Sequence, residues 1–137
     1  TAIVSNHASI GASVEIGANT LISDKCIIED QCRIGANCFI GEGSIIGKNS
    51  FVQNNTCIGG VGLGYHFTSK DERLFLPHLG NVILGSETVI GSNCVIIRGQ
   101  LQDTIIGDRS RIGNLVNIGH NVHVGTDCAT LPTRMNP

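Results

Sequence analysis

VSNHAS-IGASVE-IGANTL-ISDKCI-IEDQCR-IGANCF-IGEGSI-IGKNSF-VQNNTC-I, residues 4–58, places an aliphatic side chain at every sixth position without a break. The count runs through Val4, Ile10, Ile16, Ile22, Ile28, Ile34, Ile40, Ile46, Val52 and Ile58. It resumes at Leu84, Ile90 and Ile96, slips by four residues, and continues at Ile106, Ile112, Ile118 and Val124. An amphipathic helix repeats every 3.6 residues and a strand every two, so neither alone produces a strict six. A parallel β-helix does, if one hexad makes one face of a triangular prism and three hexads make one coil. The 17 hexads then build between five and six coils, stacked at about 4.8 Å per coil into a prism on the order of 27 Å tall. The expected organisation is a β-helix over residues 1–129 with an extruded loop at 60–81, followed by an irregular, frayed tail at 130–137.

Each place in the hexad has a physical task. The first residue points inward as the aliphatic core. The second is Gly in 12 of the 17 hexads, where a corner leaves little room for a side chain. The fourth is often Asn (19, 37, 49, 55, 93, 121), a residue that tolerates left-handed backbone. The fifth is small, and it holds Cys26, Cys32, Cys38, Cys94 and Cys128, five of the chain's six cysteines. They read as small buried fillers. Cys26, Cys32 and Cys38 fall on three different faces, which argues against pairing or a shared metal. Reduced structural thiols suit the cytoplasm.

Composition agrees. Among 137 residues there are 18 Gly, no Trp, one Tyr and 4% aromatics, an inventory for strands and tight turns rather than a helical bundle. A formal charge of −2 gives no basis for a nucleic-acid or acidic-membrane surface. No apolar run reaches the ~18 residues of a transmembrane segment. The chain opens on Thr1 and shows no signal-peptide pattern, so it reads as a processed or excised piece.

Two segments break the count. Residues 60–81, GVGLGYHFTSKDERLFLPHLGN, hold most of the aromatics and two of the five His. An insertion of this length is functional or disordered, and Tyr65, Phe67, Phe75 and Pro77 are poor ingredients for disorder. It is expected to leave a corner and pack on its own prism or on a neighbour's. The second break, IIRGQLQDTI at 96–105, is a smaller protruding loop. His120 occupies the third place of its hexad, facing outward. If the preceding coil absorbs the slip, His120 lies one coil above Arg98 at a shared corner, where a cation would favour the neutral, proton-accepting imidazole.

GVGLGY (Gly60–Tyr65), LPHLGNVILG (Leu76–Gly85), the RG-x-L-x-DT-x-IG segment (Arg98–Gly107) and NLVNIGHNVHVG (Asn114–Gly125) together resemble the UDP-3-O-acylglucosamine N-acyltransferases of lipid A biosynthesis. The resemblance implies a left-handed prism and a homotrimer with its sites in clefts between subunits. It implies an enzyme that moves an acyl group from an acyl-carrier-protein thioester to the amine of a nucleotide-linked amino sugar. No resident cofactor or metal is implied, since the donor thioester, on acyl-carrier protein or coenzyme A, brings the reactive group. The family's catalytic His falls on His120 as general base, and a backbone N–H would stabilise the oxyanion. Asn114 and Asn117 are the expected polar substrate contacts, with Arg98 at the same corner and Tyr65 and its loop as one wall of the cleft.

The sequence departs from the family where Ile97 replaces an Asp before the Arg-Gly pair. The family's N-terminal uridine-binding domain, later coils with a second His, and C-terminal helix also lack counterparts. Acetyltransferases using acetyl-CoA on sugars share the fold and the His logic. A catalytically silent scaffold or truncated fragment is a further alternative. The γ-type carbonic anhydrases share similar IRG and IGH segments, but they need three His on a metal. No His lies between His78 and His120.

Overall fold

The computed structural model describes residues 1–131 and consists of short parallel strands joined by tight corners. Three six-stranded parallel sheets form the three faces. The first face stacks Ile3–Val4, Leu21–Ile22, Phe39–Ile40, Cys57–Gly60, Val95–Ile97 and Asn117–Ile118. The second stacks Ser9–Ile10, Ile27–Ile28, Ile45–Ile46, Val82–Leu84, Thr104–Ile106 and His123–Val124. The third runs from Glu15–Ile16 through Arg33–Ile34, Phe51–Val52, Val89–Ile90 and Arg111–Ile112 to Ala129–Thr130. Six strands on each face make six coils, the upper end of the expected range. The last strand closes at Thr130, and the expected tail beyond residue 131 lies outside the described residues. Among the described residues no helix is long and apolar enough to cross a membrane.

Registers follow the count: Ile22 lies beside Ile40, Ile28 beside Ile46, Ile90 beside Ile112 and Ile96 beside Ile118. The first-place aliphatics from Ile22 to Ile112 are all buried. Val4 and Ile10 are each 38% exposed, because an end coil has a neighbour on one side only. At the corners, Asn19, Asn37, Asn49, Asn55, Asn93 and Asn121 all have φ near +60°. Ser13, Lys25, Gln31, Glu87, Arg109, Leu115 and Asp127 take the same geometry, so the corner imposes it and Asn merely meets it most easily. A Cβ on Gly17 would lie 2.6 Å from the backbone N of Ala36, which is the close approach that demands glycine.

The fifth-place residues do more than fill space. Cys26, Cys32, Cys38 and Cys94 turn their thiols to the carbonyls of Gly41, Gly47, Gln53 and Gly113 at 3.0–3.2 Å. Thr20, Thr56 and Ser110 donate equivalent bonds at 2.6 Å. Each therefore ties its coil to the next. Third-place carboxylates and carboxamides supply a second tie: Asp30, Asn54 and Asp108 accept from the backbone N–H of Ala12, Ala36 and Ser86 one coil below.

The segment 60–81 is not structureless. Tyr65–Phe67 pairs antiparallel with Arg73–Phe75 as a two-stranded hairpin. Its turn is closed by Thr68, whose N–H donates to the Glu72 carbonyl and whose hydroxyl accepts from the N–H groups of Lys70 and Glu72. The alternation in YHF and RLF carried that pairing, but a five-residue turn without Gly or Pro hid it.

Candidate active site

Both breaks in the hexad count and His120 fall on one edge of the prism, where the first face turns into the second. The hairpin segment leaves after Cys57–Gly60 and returns at Val82. One coil further, the short loop joins Val95–Ile97 to Thr104–Ile106. One coil further again, His120 occupies the turn between Asn117–Ile118 and His123–Val124. Pairing keeps the levels aligned, with Ile58 beside Ile96 and Ile96 beside Ile118. The turn of His120 is anchored by its neighbour Asn121, whose side-chain oxygen accepts from Gln100 N–H at 2.9 Å. The Asn121 backbone N–H donates to the Thr104 hydroxyl at 3.0 Å. The Asn that makes the corner thus also ties it to the short loop.

His120 is exposed and borders a groove of about 540 Å³. One wall is Val61, Gly62 and Leu63 of the long loop, and the floor is formed by Val95, Ile97 and Asn117. The lining is mostly apolar. Behind His120 lies His78, only 6% exposed, with ring centroids 5.6 Å apart and planes 84° apart. Neither ring nitrogen of His78 has a hydrogen-bond partner among the described residues. On its other side His78 borders a second hollow with Arg98, Asn81, Lys25 and Glu42. In that hollow Lys25 and Glu42 pair at 3.3 Å.

The expected site residues divide. His120 and Asn117 share the groove. Arg98 lies one coil below His120 along the backbone, yet its guanidinium does not face the imidazole. Nε donates to the Gly80 carbonyl at 2.8 Å and Nη2 to Asn81 Oδ1 at 3.3 Å. The physical reason is the returning loop, which presents a carbonyl that needs a donor while the four extra residues free Arg98 to turn towards it. The ring next to His120 is that of His78. Asn114 stands at the opposite end of the face, its carboxamide oxygen accepting from Ser92 N–H at 2.8 Å like the other third-place side chains. Tyr65 sits out on the hairpin, edge-on to Phe67 at 5.5 Å and beneath the Arg73 guanidinium at 5.5 Å. The loop's contribution to the groove wall is Val61–Leu63 instead. In the sequence His78 is one of two histidines of the long loop, with no periodic signal to distinguish it. The signal was in the GVGLG run, because a Cβ on Gly62 or Gly64 would come within 3.0 or 3.3 Å of the His78 ring.

Residues 25–60 match the family model of the bacterial transferase hexapeptide, six repeats. The chain carries hexapeptide repeats. Over 77 residues it is 48% identical to UDP-3-O-acylglucosamine N-acyltransferase 1 of Francisella tularensis, covering 55% of this chain and 22% of that protein. It is 46% identical over 77 residues to UDP-3-O-acylglucosamine N-acyltransferase of Acinetobacter baumannii, covering 56% and 21%. The resemblance expected from the loop motifs is thus present along about half the chain. That matched stretch spans about a fifth of the length of these relatives. A crystal structure of a UDP-N-acetylglucosamine acyltransferase superposes with a TM-score of 0.82 at 23% identity, covering 94% of this chain and 48% of that one. This is a likeness of fold, and the coils wind left-handed as expected.

Proposed function

We propose that this hexapeptide-repeat chain belongs to an N-acyltransferase that moves an acyl group from an acyl-carrier-protein thioester to the amine of a UDP-linked amino sugar in lipid A assembly. The observation that carries the reading is His120 itself. It is an exposed imidazole at the mouth of an apolar groove, on the edge where both loops stack, in a chain 48% identical over 77 residues to an enzyme of that name.

An amine attacks a thioester only through its lone pair, and the attacking nitrogen becomes acidic as the C–N bond forms. His120 accepts that proton and passes it to the departing thiolate, so the amide forms and the C–S bond breaks without net change at the protein. A backbone N–H aimed at the thioester oxygen would stabilise the tetrahedral oxyanion. Asn117, beside His120 in the groove, is suited to a sugar hydroxyl or amide. Val61, Leu63, Val95 and Ile97 offer an apolar surface to the acyl or thioester arm. No resident cofactor or metal is needed. Reduced buried thiols fit a cytoplasmic enzyme.

A homotrimer is part of the reading. The outward side chains of the two faces flanking the His120 edge are apolar ladders: Leu21, Phe39 and Val95 on one, Ile27, Ile45 and Ile83 on the other. The third face is mixed, with Glu15, Arg33 and Arg111 among Phe51, Val89 and Ala129. Two apolar faces beside one edge suit a closed ring of identical subunits.

The test is transfer by the intact protein from acyl-carrier protein or coenzyme A thioesters to a UDP-linked glucosamine amine, with the amide product followed by mass spectrometry. Replacing His120 by Ala should lower kcat by roughly 10²- to 10⁴-fold with the melting temperature unchanged. Undiminished transfer in that folded variant would sink the general-base role, and preference for the coenzyme A donor would reassign the carrier.

A further inference from the structure

His78 has no part in the chemistry just described, yet it is the most unusual side chain of the molecule. Its ring is almost fully enclosed, 6% exposed, and among the described residues both nitrogens lack hydrogen-bond partners. A buried polar group without a hydrogen bond works against folding, and such groups persist where something other than stability retains them. Three features converge on the ring. Gly62 and Gly64 leave only enough room for it. Phe75 of the hairpin lies at 6.5 Å between ring centroids. On the groove side it meets the His120 ring edge to face.

We propose that His78 is a positioning residue for His120: lodged under Gly62 and Gly64, its ring holds the His120 imidazole at the mouth of the groove in the orientation that receives the amine proton. The inference rests on the acyl-transfer reading of His120. An outward side chain on a turn otherwise has free rotation about both its χ angles, and a base must be held within hydrogen-bond reach of its proton for transfer to be efficient. Edge-to-face packing is a preferred geometry for flat rings. It fixes the plane of one ring against the other without occupying either nitrogen of His120.

The experiment compares wild type, His78→Leu, His78→Gln and the exposed-loop control His66→Ala in the intact protein. Expected for both His78 variants are a kcat at least tenfold lower and KM values within about twofold. The melting temperature of His78→Leu should be equal to or above wild type, since an unpaired polar ring has been removed, and His66→Ala should behave as wild type. NMR of ring-labelled histidine supplies a readout that needs no turnover. In wild type, ring-to-ring nuclear Overhauser effects should join His78 and His120; in His78→Leu the His120 ring should average over several rotamers. Wild-type kcat in His78→Leu, or a His120 ring equally ordered in wild type and His78→Leu, overturns the proposal. Absence of acyl transfer in wild type itself would defeat the acyltransferase reading, while the NMR contacts would still decide whether His78 orients His120.

Discussion

At the scale of single residues, the fifth hexad place shows how one position serves two requirements. It must be small enough to fit inside a corner and polar enough to satisfy a carbonyl of the next coil, and Cys, Ser and Thr meet both. Burial pushes the Cys26, Cys32, Cys38 and Cys57 thiols up from their ordinary value. The thiolate is the reactive form, so these groups stay inert until the pH rises above that of an ordinary cysteine. With an aromatic disulfide reagent at pH 8, one thiol, exposed Cys128, should react quickly and half-buried Cys57 slowly. The remaining four should react only in denaturant. Rapid release of several equivalents from the folded protein would contradict the buried ladder.

Single-residue truncation should also report position in the stack. Ile90 is fully buried between two coils, whereas Val4 is 38% exposed at an end. Ile90→Ala should cost about 2–5 kcal/mol, measured by urea unfolding, and Val4→Ala distinctly less. Equal losses would mean that the end coil is covered in solution.

At the scale of elements, the corner governs what a turn tolerates. A Cβ at Gly17 meets backbone atoms of the next coil, while at Gly119 it meets nothing within 4 Å among the described residues. Gly17→Ala should therefore lower stability by about 1–3 kcal/mol through overpacking, and Gly119→Ala should melt close to wild type. The same hexad place thus has two different tolerances, set by how closely neighbouring backbone approaches it. The hairpin is a separate element. Its stem is fastened to the prism by Leu79 N–H to the Gln100 carbonyl and by Asn81 N–H to Asp103. By contrast Phe67, Leu74 and Phe75 remain 55–60% exposed. Replacing residues 66–74 by a short Gly–Ser linker should leave the melting of the prism nearly unchanged while weakening self-association. A collapse of the melting transition would show that the hairpin is integral to the core.

At the scale of the molecule, contacts run almost wholly between successive coils, so stability accumulates along the axis as a chain of nearest-neighbour interfaces. Such a stack is exposed at its ends and along any face that is apolar outside as well as inside. Two of the three faces are of that kind, and they flank the edge that carries His120. Placing a charge in one ladder, as in Ile27→Asp, should shift the assembly from trimer to monomer in sedimentation experiments, with far-ultraviolet circular dichroism intact. A wild-type monomer at micromolar concentration would overturn the assembly reading.

Periodicity alone determined the prism, the coil count, the inward row from Ile22 to Ile112 and the small residues behind it, because those follow from a repeat in which every sixth residue meets the same surroundings. It also isolated 60–81 and the slip after Ile96, while His120 keeps the count and stands out only through the motif around it. The tertiary structure decided what the exceptions do together. Stacking brought them to a single edge although they lie far apart in the chain. It turned Arg98 to the loop carbonyl it must satisfy, placed Asn114 at the opposite corner, and set His78 beside His120. None of these has a period, since each depends on where a loop returns and which buried group needs a partner, and contacts of that kind exist only once the coils are stacked.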